Sequence, residues 1–178
     1  MNHHTNHHTN HVDIFQTKAF RQGISFGVVS SAMTVLGISL GVWSSGEHLR
    51  AIVSSVVGLS ISNSLADAFS MYMSDTATGQ SKNAMTSAIV TAIIESILPF
   101  LFLIPFLTMK LKNAVIVNAI IGIILVAITG VYVSKLNKVS DKKMVENVSL
   151  YVAITCLIMG LTYTAGITIN KVIKDRGV

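Results

Sequence analysis

Asn63, Asp67, Met71 and Asp75 follow one another at intervals of four residues within the apolar stretch SISNSLADAFSMYMSD, residues 60–75. On an α-helix a step of four turns by about 40°, so the four side chains fall along one narrow stripe. An amide, two carboxylates and a thioether in that order offer ligands for a cation. Carboxylates and carbonyls suit hard or borderline ions such as magnesium, manganese and ferrous iron, and a thioether shifts the preference toward iron and away from calcium. A carboxylate also accepts a proton in place of a metal, which would let metal be exchanged for protons. Glu95 is a third acid within an apolar stretch. A charge at membrane depth costs at least ~2.5–3.5 kcal/mol on insertion scales and usually faces a protein interior or a water-filled path. Met71 also fits simple core filling, and Asp75 also fits the end of a span, so Asp67 carries the stripe most directly.

The elements that position these residues follow from composition. The chain has 178 residues, 51% hydrophobic and 12% charged, with a mean hydropathy of +0.64. A soluble domain of this size carries about 25% charged residues. The charges collect between apolar runs long enough to cross a bilayer, which predicts an all-α polytopic membrane protein with five transmembrane helices, at about 22–44, 50–75, 84–108, 114–134 and 148–170. A polar, histidine-rich tail over 1–21 and a basic tail over 171–178 flank this transmembrane domain. The formal charge of +5 is explained by Lys and Arg at span ends, where they snorkel to lipid phosphates, and does not point to nucleic acid. Their distribution between the two sides is too even for the positive-inside rule to set an orientation. The single Cys156 excludes an intrachain disulfide and is expected to pack as a small apolar residue. A phosphate-binding glycine loop, a metalloprotease helix and a nucleophile elbow are all missing from the sequence, and histidine is absent from the five spans. An enzyme is therefore not expected, nor a permanently bound cofactor.

Three further features each admit two readings. In the first span Gly23, Gly27, Ser30, Thr34, Gly37 and Gly41 form one seam of small residues, which fits close packing within the chain or a dimer interface. In the third span Pro99 frees the carbonyl of Glu95 and Pro105 that of Leu101, giving a kink or an ion-coordinating, gating turn. The amino-terminal NHHTNHHTNH fits a metal-capture arm or a low-complexity tail.

FGVVSSAMTVLG in the first span and ADAFSMYMSD in the second resemble the first two helices of the vacuolar iron transporter family. Phe26-Gly27, Leu36-Gly37 and Ala68-Phe69-Ser70-Met71 carry the likeness, and five spans with a short first hairpin match the family layout over residues 20–170. The resemblance implies that Ser70, Met71 and Asp75 lie on a membrane metal path. It also implies a homodimer through helix 1, a cytosolic amino terminus in the plasma membrane or an internal, vacuolar-type membrane, and export of ferrous iron or manganese from the cytosol in exchange for protons. The chain departs from the family at two places. Ser30-Ser31 stands where the family has Asp-Gly, and residues 76–83 stand where plant and fungal members carry a glutamate-rich cytoplasmic domain. Asp67 is this chain's own addition, able to supply the missing charge from the facing helix.

The combined expectation is a transporter in which Asp67, Met71 and Asp75 bind the metal, Ser30, Asn63 and Ser70 line the path and Glu95 serves coupling. Two rivals remain. One is a membrane assembly protein whose polar stripe is helix-to-helix glue, and the other is a proton-coupled transporter of small organic cations.

Overall fold

A computed structural model describes residues 17–46 and 48–176. The histidine repeat lies outside the described residues. The described chain forms five helices, α1 (Lys18–Ser44), α2 (Leu49–Ala77), α3 (Ser81–Thr108), α4 (Leu111–Leu136) and α5 (Asp141–Asp175). All five are long and apolar enough to cross a membrane. At 26 to 35 residues they run ~39–52 Å, against a hydrocarbon core of about 30 Å.

The helices extend past the limits that hydropathy sets, because polar residues continue a helix as readily as apolar ones once it has been nucleated. α1 begins at Lys18 and not near residue 22, with the side chain of Thr17 accepting from the Phe20 amide at 3.2 Å. The eight-residue connector expected after Asp75 shrinks to Thr78, Gly79 and Gln80, and Gly79 makes the turn with φ of 77°. The basic connector before the fifth span loses residues 141–147 to α5, whose first turn opens on Asp141, an acid suited to a helix amino terminus. Cys156 faces outward and does not fill the core.

α1 packs against all four other helices, and α2, α3, α4 and α5 surround it in that order, each touching the next. Within α1 only Lys18 and Phe26 are exposed. Val35, Leu36, Ile52, Val56, Phe102 and Val126 meet in the centre of the bundle. Because lipid tails compete with apolar side chains, close backbone approach and interhelical hydrogen bonds hold such bundles together. The small-residue seam is spent on these contacts. Gly23 and Gly27 meet Val90 and Ile94 of α3, while Gly37 and Gly41 meet Thr162 of α5. The seam thus serves packing within the chain at these four glycines.

Gly23 sets the spacing between α1 and α3. A Cβ there would stand 2.7 Å from the Ser87 carbonyl oxygen and 2.8 Å from Val90 Cβ. Neither atom can swing away, so Gly23→Ala is expected to cost about 1–3 kcal/mol, read as a shift in detergent unfolding.

Candidate cation path

α2 is the helix that brings the polar stripe inward. Its Ser60, Ser64, Met71 and Asp75 are buried and Asn63 and Asp67 are half-buried, whereas Leu59, Ile61, Leu65, Phe69 and Met73 are exposed on the lipid side. The four-residue spacing therefore does what it predicted, but its members divide into two groups.

The inner group centres on Asp67. Ser30 Oγ of α1 donates to Asp67 Oδ2 at 2.7 Å, and Asn63 Nδ2, one turn earlier on α2, donates to the same oxygen at 3.1 Å. Glu95 of α3 is 2% exposed, and its carboxyl lies near the side chains of Ser30 and Asp67. Neither Glu95 carboxyl oxygen meets hydrogen-bond geometry with a described residue, and the buried Ser31 Oγ is likewise without a partner. Ser31, Ser60, Asn63, Glu95 and Pro99 line a void of about 10 Å³, close to the smallest space that holds one water. Buried polar groups are nearly always satisfied, yet the two Glu95 carboxyl oxygens and Ser31 Oγ lack a partner of good geometry beside a void whose remaining wall, Val35, Ile38, Val56 and Leu59 among it, is apolar. Pro99 stands in the same wall and removes the amide that would bond the Glu95 backbone carbonyl.

The outer group centres on Asp75, near the end of α2. Its carboxyl is 3% exposed. Gln22 Nε2 donates to Asp75 Oδ1 at 2.9 Å and approaches Met71 Sδ at 3.3 Å, and Ser87 Oγ donates to Asp75 Oδ2. Asp75 therefore ties α1, α2 and α3 together and is not a solvated residue at the span edge. Gln22→Leu would leave a buried carboxyl oxygen short of a donor, and a loss of about 1–3 kcal/mol is expected in unfolding measurements.

Asp67 and Asp75 are two helical turns apart, ~12 Å along the axis. Asp67, Met71 and Asp75 thus do not form one ligand set. Met71 goes with Asp75 and Gln22, and Asp67 goes with Glu95, Ser30 and Asn63. Among the described residues, no three side chains drawn from histidine, cysteine, aspartate and glutamate gather closely enough to hold a metal ion. Ser70 is exposed, and its hydroxyl bonds back to the Ala66 carbonyl at 2.8 Å. It lines a broad cleft of about 1030 Å³ between α2 and the α4–α5 pair, not the Asp67 group.

Sequence reasoning missed Gln22 and Ser87, and it noted Ser31 only as half of the Ser30-Ser31 pair. An amide or hydroxyl near the start of a span reads as ordinary interfacial polarity. Only the side chain each one faces distinguishes it.

Comparison with known proteins gave no match to a family model, to a curated protein or to a solved structure.

Proposed function

We propose that the protein is a proton-coupled membrane transporter of divalent transition-metal ions, with ferrous iron and manganese as cargo. The observation that carries the reading is the Asp67–Glu95 pair: two carboxyls from facing helices inside an apolar bundle, one held by Ser30 and Asn63, the other buried with both oxygens unpartnered. Two carboxylates match the charge of a divalent cation. When the ion leaves, the same oxygens take up protons, since two unpaired negative charges in hydrocarbon are costly. Serine hydroxyls, the Asn63 amide oxygen and the Glu95 backbone carbonyl are oxygen donors of the kind that manganese and ferrous iron accept. Met71, beside Asp75, adds a softer contact nearer the amino-terminal side of α1. Export from the cytosol follows only from the resemblance to vacuolar iron transporters. Asp67 and Glu95 both come from one chain, so the reading does not require the two-fold arrangement that the resemblance implies.

A second reading, transport of a small organic cation, is favoured by the want of three closely placed acid, histidine or cysteine ligands among the described residues. Both readings are tested in liposomes holding purified protein, with Fe²⁺ and Mn²⁺ uptake followed with and without a pH gradient. Metal uptake that grows with the gradient, and is untouched by excess tetraethylammonium, supports the metal reading. Tetraethylammonium flux without metal flux would replace it. Neither flux, with Asp67→Asn less stable than the parent, would leave the assembly reading.

A further inference from the structure

We infer that the cleft between α2 and α5 binds an anionic phospholipid, with its phosphate at Lys18 and Arg21 and an acyl chain lying along Phe26, Val29 and Val133. The ring of helices around α1 touches in sequence from α2 to α5 but makes no comparable contact between α5 and α2. Through this gap α1 shows its one exposed apolar side chain, Phe26. The cleft that results is about 1030 Å³ and is walled by α1, α2, α4 and α5.

Its chemistry changes along its length. At the start of α1, Lys18 and Arg21 line it together with Ser74 and Asn137. Deeper, as far as Val29, the wall becomes Phe26, Val29 and Val133. Lys18 to Val29 is ~16 Å along the helix, which reaches about halfway through a hydrocarbon core of ~30 Å. Among the described residues no carboxylate lines the cleft, so none of them in its wall matches the two cations. Cations and hydrogen-bond donors at the membrane edge, leading into an apolar channel open to the side, complement a phosphate headgroup joined to a hydrocarbon chain. Basic pockets between membrane helices hold anionic headgroups by this combination. A metal ion would meet Lys18 and Arg21 as like charges, so the cleft's ligand differs from that of the Asp67 group. The inference does not rest on the transport reading.

The test uses full-length protein in mild detergent with equal amounts of phosphatidylglycerol and phosphatidylcholine, and counts bound lipids by native mass spectrometry. One phosphatidylglycerol per chain is expected, preferred by about 30-fold, the factor that two near-surface cations confer. Lys18→Gln with Arg21→Gln should abolish the preference, while Lys110→Gln with Lys112→Gln, at the opposite end of the bundle, should keep it. Ser70→Trp leaves the charges intact but fills the cleft, and should expel the lipid. Equal retention of both lipids by the parent, or a preference that survives loss of Lys18 and Arg21, would overturn the proposal. So would displacement of the lipid by equimolar glycerol phosphate, because the acyl chain would then contribute nothing. A dimer that Ser70→Trp splits without changing lipid content would assign the cleft to a second copy instead.

Discussion

Asp67→Ala is expected to reduce metal flux in liposomes by roughly 100-fold, the equivalent of ~3 kcal/mol of lost ion binding. Adding Ser30→Asp to that variant should restore flux to within about 10-fold of the parent, because a restored charge recovers most of that binding. The reason is geometric. Ser30 Oγ stands 2.7 Å from Asp67 Oδ2, so a carboxylate grown from α1 reaches the space that the α2 carboxylate leaves. The comparison separates two roles. If Asp67 supplied only a hydrogen bond to Ser30, then Asp67→Asn would be nearly as active as the parent and Ser30→Asp would rescue nothing. Failure of the double variant despite parent-like thermal stability would count against charge at this spot as the requirement.

Replacing Glu95 should separate stability from activity. Its carboxyl is 2% exposed and its two oxygens have no hydrogen-bond partner among the described residues. Leaving a buried polar group unsatisfied costs about 1–3 kcal/mol, whereas an apolar side chain of similar length would lose nothing there. Glu95→Met is therefore expected to raise stability by roughly 1–3 kcal/mol, seen as a higher melting temperature in detergent. The same variant should lose metal flux and its dependence on a pH gradient. Gained stability with lost flux is the pattern of a group kept for function at a structural cost. A less stable Glu95→Met protein would show that the carboxyl is a structural support, and unchanged gradient-driven flux would remove it from coupling.

The Asp75 group behaves in the opposite way. Its carboxyl receives donors from Gln22 on α1 and Ser87 on α3, so its loss should weaken the bundle before it alters an ion's path. Asp67 and Asp75 look alike in sequence, each four residues from Met71, yet one is held by two donors beside a neighbouring acid and the other is a three-helix knot.

The sequence by itself determined the five helices and the inward turn of the stripe. Apolar run length fixes the first, since only an α-helix satisfies its own backbone in hydrocarbon. Four-residue spacing fixes the second, because it is a property of one helix and needs no neighbour. Tertiary structure decided everything that depends on a second helix. That Glu95 of α3 faces Asp67 of α2, that Ser30 of α1 reaches Asp67, and that Gln22 of α1 caps Asp75 all follow from how far the helices slide along one another. That register is set by close approaches such as Gly23 against Ser87 and Val90. The glycine seam shows the same division. Its spacing announced that something packs closely on α1, but only the folded chain shows that α3 and α5 do so, because periodicity fixes a direction on one helix and says nothing of what lies across from it.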